Sequence, residues 1–199
     1  MQQLIAILTG DVIRSRTQNP DIWLSVLKEA ISSYTDNFDI FRGDSFQAEL
    51  SLEEALKATF YIKAAMIALK LDVRIGIGIG IKDHDDGAIK TSFGSALTYS
   101  GEAFDELKKE TICLRSPNKK VDDLCNVILT LAAELCGHWT PNMAETVKAA
   151  LRNEGMNQID LAAVLGKKYQ SQISTELQKA SFIKIQRAIA YCTEALLTL

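Results

Sequence analysis

From Val73 to Ile81 isoleucine and glycine alternate. Ile75, Ile77, Ile79 and Ile81 fall on one parity, and Arg74, Gly76, Gly78 and Gly80 on the other. A helix would carry three glycines at a cost of about 3 kcal/mol relative to alanine, whereas period two is the repeat of a strand. The segment Asp72–Ile81 is therefore a strand. Its isoleucine face must pack on helices. Its glycine face has no side chains, so a ligand, a loop, another backbone or a partner subunit can approach it closely.

Other elements arrange themselves around this strand. Leu4 to Leu8 is a continuous apolar run ending at Thr9-Gly10-Asp11, which suits a buried strand. Residues 20–35 have helical spacing after Pro20. Phe38, Ile40, Phe46, Ala48 and Leu50 flank Arg42-Gly43-Asp44, the pattern of a hairpin. Ser51 and Glu54, three apart, predict a capping box before a helix over 52–71. Residues 82–93, with Asp83-His84-Asp85-Asp86-Gly87, read as a polar excursion. A helix over 95–110 and a short strand over 111–114 complete a β-α-β-β-α-β-α-β order. The fold class expected is α+β: a ferredoxin-like antiparallel sheet with helices on one face. Its first strand lies beside its third, which brings Asp11 and Asp44 to one edge.

Ser116-Pro117-Asn118-Lys119-Lys120 reads as a linker. Beyond it helices are predicted over 121–137, 142–154, 157–166, 170–180 and 181–198. Two domains are expected, at 1–115 and 121–199. In the second, Gln158–Gly166 followed by Ser171–Leu177 has the pattern of a helix-turn-helix. Ala162 lets the helices cross closely, Gly166 supplies the turn, and Ile159, Leu161, Leu165, Ile173 and Leu177 form the seam. Lys167, Lys168, Gln170, Ser171, Gln172, Ser174, Thr175 and Lys179 would then face DNA. The turn is about one residue longer than usual for the motif. A helical bundle used for dimerisation is the alternative. The apolar stripe Val121, Leu124, Cys125, Ile128, Leu131, Ala132, Leu135 would serve as core or dimer seam.

Charge agrees with this division. The net charge of −3 argues against a chain coated with nucleic acid, yet residues 141–199 hold 7 basic against 5 acidic residues, a mild asymmetry. The four cysteines, Cys113, Cys125, Cys136 and Cys192, have no paired spacing and only two histidines accompany them. Free thiols are expected, and a zinc site is not. Both histidines, His84 and His138, read as surface or capping residues. The N-terminus has no basic segment before a long apolar run, and no apolar stretch approaches the ~20 residues of a membrane span. A cytoplasmic protein is expected.

Candidate chemistry lies at the two Gly-Asp sequences. Asp11 and Asp44, with the backbone of Val12, are candidate Mg²⁺ ligands; a pair of turn aspartates is the plainer reading. Gly10, Arg14, Ser15, Arg42 and Gly43 are candidates for holding a nucleoside phosphate. Arg14 and Arg16 would do so near the start of the first helix, through charge and free N–H groups.

The first ~110 residues resemble the class III nucleotidyl cyclases and polymerase palms. Asp11-Val12-Ile13 is similar to the family's strand-end acid, Gly43-Asp44-Ser45-Phe46 to its hairpin, and Val73–Gly80 with Gly94-Ser95-Ala96-Leu97 to its later strand and helix entry. The resemblance implies a metal and nucleotide platform. It also has departures: the family's transition-state Asn and Arg fall at about Thr98 and Glu102, its purine-selecting Lys at Ile40, and the second hairpin acid of diguanylate cyclases at Ser45. The whole chain resembles the SatD family through Thr9-Gly10-Asp11 and Arg42-Gly43-Asp44-Ser45-Phe46-Gln47. The reading at this stage is a DNA-binding regulator, a homodimer, with a degenerate nucleotide- and metal-binding palm. The rivals are an Mg-dependent nucleotidyl-transfer or phosphohydrolase enzyme and a non-catalytic dimeric interaction protein.

Overall fold

The strand that ends in Thr9-Gly10-Asp11, β1 (Ile5–Ile13), lies at the centre of the sheet in a computed structural model that describes residues 3–83 and 89–199. After it come α1 (Pro20–Ser32), β2 (Phe38–Phe41), β3 (Ser45–Leu50), α2 (Leu52–Ala68), β4 (Asp72–Gly80), α3 (Ser95–Glu106) and β5 (Ile112–Arg115). The strand order is β2-β3-β1-β4-β5. β1 pairs antiparallel with both β3 and β4, β2 pairs antiparallel with β3, and β5 adds parallel to β4. The first four strands thus follow the expected ferredoxin-like order, and the parallel fifth makes the sheet mixed. His84, Asp85, Asp86 and Gly87 of the polar excursion lie outside the described residues.

Parity decides what each face carries. Ala6, Leu8 and Val12 of β1 and Ile75, Ile77 and Ile79 of β4 bury into one core with Trp23 and Leu27 of α1 and Leu56 and Phe60 of α2. The opposite face carries the β4 glycines, and the chain's own α3 lies on it. A Cβ at Gly76 would stand 2.3 Å from the Phe104 nitrogen, and one at Gly78 2.2 Å from the Ser100 nitrogen. The clearance expected for a nucleotide or a partner subunit is therefore taken by backbone. Thr9 of β1 reaches α3 as well, its hydroxyl 2.9 Å from that of Ser100.

The chain continues through α4 (Lys119–Gly137), α5 (Pro141–Arg152), α6 (Gln158–Val164), α7 (Gln170–Lys179) and α8 (Phe182–Leu196). Asn118 caps α4, accepting hydrogen bonds from the Lys120 and Val121 nitrogens. Ser116 donates to Asp122 at 2.6 Å in the same turn. The hydrophobic core that starts at the sheet runs on without interruption to Cys125 and Leu129 of α4, Val147 of α5 and Ile185 and Cys192 of α8. Trp139 Nε1 donates to the Ala180 carbonyl at 2.9 Å, and Lys57 of α2 pairs with Glu154 at 2.7 Å.

Three local expectations are corrected. Ser51 precedes α2 without a side-chain capping bond, so the Ser51/Glu54 box does not form. Residues 15–17 form a short 3₁₀ turn capped by Arg14 and α1 begins only at Pro20, so Arg14 and Arg16 do not sit at the N-terminus of α1. The predicted α4 stripe splits, because its members span more than one face: Cys125 and Ala132 are buried, whereas Leu124 and Leu131 are exposed together with Val127. His138 caps the end of α4 on the surface, 3.6 Å from Glu134. The four cysteines are free. Among the described residues no helix is long and apolar enough to cross a membrane.

Candidate functional site

Asp11 sits two residues beyond Thr9 on the same side of β1, and Arg74 two before Gly76 on β4; the register places Asp11 and Arg74 directly opposite each other. They continue the glycine row past the end of α3. α3 covers Gly76, Gly78 and Gly80 and stops at Glu106, so the sheet face opens where the acid and the arginine stand. Asp11 pairs across β1–β3 with Ser45, and the Val12 nitrogen donates to the Asp44 carbonyl at 3.1 Å. This bond fastens the hairpin turn to the end of β1 and brings the two acids to one cleft of about 520 Å³.

The cleft is charged on all sides. Asp11, Asp44 and Glu110 contribute carboxylates; Arg14, Arg16, Arg74, Lys108 and Lys109 contribute cations. Ser15, nearly buried, donates its hydroxyl to Asp44 Oδ2 at 2.7 Å. Arg74 donates Nε to Asp11 Oδ1 at 3.0 Å and Nη2 to Oδ2, and its guanidinium lies 5.4 Å over the Phe104 ring. The bond to Asp11 raises the Arg74 pKa above its ordinary value, against a smaller opposing effect of burial. Two cationic residues on the rim, Arg14 (φ 62°) and Lys108 (φ 39°), adopt left-handed backbone conformations. Lys70 (φ 61°) and Ser181 (φ 55°) adopt the same conformation at helix boundaries away from the cleft.

The sequence candidates divide. Asp11, Val12, Asp44, Arg14 and Ser15 line the cleft. Gly10 does not open onto it, because the Phe46 ring would stand 2.5 Å from a Cβ there. Arg42 (φ 52°) and Gly43 (φ 94°) form the exposed hairpin tip next to it. Sequence reasoning passed over Arg74, Lys108 and Lys109 as site residues. Arg74 had a signal, its parity with the β4 glycines opposite β1; the lysines follow α3 without any pattern.

Two carboxylates and a backbone carbonyl are hard-oxygen donors of the kind Mg²⁺ takes together with water and phosphate oxygens. Both Asp11 oxygens are held by Arg74, however, and no group of three or more His, Cys, Asp or Glu converges among the described residues. The protein alone does not present a metal cage. Its acids suit a cation that brings further oxygens with it.

Elsewhere, Glu102 on α3 lies 3.9 Å from Arg115, Thr98 is exposed and donates to the Gly94 carbonyl at 3.3 Å, and Ile40 pairs with Phe46 in the hairpin. A groove of about 340 Å³ between α2, α5 and α8 is acidic, with Glu53, Glu54, Glu154 and Glu194 around Lys57, and does not suit an anion.

In the helical half, α5, α6 and α7 share a small core of Ala149, Leu161, Ala162 and Ile173, with Leu165 and Leu177 at its edge. Ile159, expected in this seam, is 70% exposed, because it falls on the outer side of the first turn of α6. Gly166 (φ 61°) makes the turn, and Lys167 closes it onto the Ala162 carbonyl at 2.8 Å. On α7 only Ile173 is buried; Ser171, Ser174, Thr175 and Lys179 are exposed. Other expected DNA contacts have partners within the chain. Lys167 lies 3.4 Å from Glu176, Gln170 bonds Gln158, Gln172 accepts from the Tyr169 nitrogen at 3.2 Å, and Lys168 lies over the Tyr169 ring.

No family model matches the chain, and no curated protein does. Among solved structures, two of a bacterial light-regulated adenylyl cyclase align at TM-scores of 0.44 and 0.43 with 16% and 15% identity, covering 57% of this chain. The chain spans 43% of the length of those structures.

Proposed function

We propose that the chain is a regulator that binds a phosphorylated anion, a nucleoside phosphate accompanied by Mg²⁺, in the cleft at the end of β1 and DNA through α6–α7. One observation carries the reading: five cationic residues and three acidic ones, Asp11, Asp44 and Glu110, line one open cleft, where a phosphate chain finds cations for its oxygens and a divalent ion finds acids. The resemblance of Asp11-Val12-Ile13 and Gly43-Asp44-Ser45-Phe46 to the cyclase palm supports the nucleotide and metal reading. Binding without turnover is favoured over catalysis, because the positions that stabilise a transferring phosphoryl group in the cyclases carry Thr98 and Glu102 here, neither of which lines the cleft or supplies a positive charge.

The test is a thermal-shift titration with pyrophosphate and nucleoside triphosphates, with and without Mg²⁺. Ligand at about 100 times its Kd adds roughly 2.7 kcal/mol, a rise of about 5–10 °C for a chain of this size. No rise, or an equal rise in Lys108→Ala/Lys109→Ala, refutes the site. Release of labelled product from a triphosphate would favour the enzyme reading instead.

The DNA reading has its own support in the polar outer face of α7 and the three-helix unit that carries it. The exposed apolar row Leu124, Val127 and Leu131 on α4 supports pairing with a second copy, as a two-fold DNA site would require.

A further inference from the structure

Asp11 and Asp44 line the same cleft but differ in how their charge is met. Asp44 accepts a neutral hydroxyl from Ser15 and makes no ion pair among the described residues. Asp11 is held at both oxygens by the fork of Arg74. A guanidinium fork on both oxygens repels an incoming divalent cation and occupies lone pairs it would use, so the fork weakens cation binding to Asp11. The Arg74 side chain is 38% exposed and lines the cleft wall beside the other cations. An arginine fork fits phosphate oxygens as well as it fits a carboxylate, so an anion in the cleft offers Arg74 an equivalent partner. Because both states are partly solvated, little desolvation opposes the exchange.

We infer that Arg74 is a displaceable counter-ion of Asp11, so that the cleft fills in order: the anion enters first and draws Arg74 away, and the divalent cation follows onto the freed Asp11 oxygens beside Asp44. This order rests on the reading of the cleft as a phosphate site, and it makes each ligand raise the affinity of the other by the same factor.

The test uses the full chain with Mn²⁺ as a spectroscopic probe of the oxygen site and orthophosphate as the anion, which binds Mn²⁺ only weakly in solution. Wild type binds Mn²⁺ weakly on its own, and millimolar phosphate raises that affinity roughly tenfold, the scale of one charge-assisted contact. Arg74→Gln binds Mn²⁺ alone about tenfold more tightly than wild type, phosphate then adds little, and Asp11→Asn in the Arg74→Gln background abolishes the gain. Arg74→Lys, which keeps charge but loses the fork, falls between, and decides the matter should Arg74→Gln fail to fold. Wild-type and variant affinities that are equal without phosphate overturn the counter-ion role. A gain in Arg74→Gln with no phosphate effect on wild type leaves Asp11–Arg74 as described and overturns the anion site and the order of filling.

Discussion

Gly78 of β4 and Ser100 of α3 meet backbone to backbone: a Cβ on Gly78 would lie 2.2 Å from the Ser100 nitrogen and 2.2 Å from the Ala96 carbonyl oxygen. Neither atom can swing aside as a side chain could, so Gly78→Ala must push the helix off the sheet. We expect a loss of about 3 kcal/mol, at the upper end of overpacking costs. Gly101, the residue after Ser100 on α3 with nothing near its absent Cβ, is the control. Gly101→Ala should gain about 0.5–1 kcal/mol. Urea midpoints at constant m-value decide both.

Lys63 makes a second firm prediction. It is 1% exposed on α2 and donates to Asp72 Oδ1 at 2.7 Å and Thr111 Oγ1 at 3.0 Å, tying the starts of β4 and β5 to the helix. Asp72→Asn leaves a buried ammonium without its counter-charge and should cost about 3–5 kcal/mol. Lys63→Met removes the charge itself and should cost much less. A larger loss for Lys63→Met than for Asp72→Asn would show that the pair stabilises the fold by attraction rather than by mutual neutralisation.

These contacts mark what sequence could and could not reveal. The period-two row from Ile75 to Ile81 revealed β4, and the order of apolar runs brought β1 beside β3 and Asp11 near Asp44 before any coordinates. What filled the glycine face was not legible, since missing side chains announce clearance without naming the occupant; only packing shows that α3 takes it. Arg74 reads as one more polar residue on that face until the β1–β4 register sets it against Asp11. Lys108 enters the cleft through a single left-handed residue after α3, which no pattern signals. Ile159 misled because helical spacing alone cannot say which side of a short helix meets its neighbour.

Cys136 gives stability a specific alkaline limb. Burial pushes its thiol up to about 12, whereas an unfolded chain releases that proton near its ordinary value of 9. Above pH 9 the folded state holds a proton that the unfolded state has lost, so stability falls as pH rises toward 12, by up to about 1.4 kcal/mol per unit. Below pH 9 the thiol contributes no slope. Cys136→Ala should flatten this limb by one proton, read from denaturation midpoints at pH 8, 9 and 10. An unchanged slope would assign the limb to other groups, such as the Tyr34 phenol, which burial also raises.

The outer face of α7 carries the DNA reading, and charge tests it most directly. Ser171 and Thr175 are exposed and four residues apart, so their side chains share one face, while buried Ile173, Leu177 at the core's edge and Glu176, which accepts from Thr146, anchor the helix inward. Ser171→Glu with Thr175→Glu places two carboxylates where a phosphate backbone would lie and touches no buried contact. The fold should survive, seen as an unchanged circular dichroism spectrum and melting temperature, while affinity for DNA drops at least tenfold through like-charge repulsion. Lys179→Ala, removing one exposed cation at the end of the helix, should weaken binding to all sequences alike. It should also reduce the slope of log K against log salt by about one. Base-edge readout would instead appear as lost discrimination between sites at an unchanged slope. If the double glutamate variant binds DNA as wild type does, α7 is not the reading helix, and its polar face is simply solvated surface.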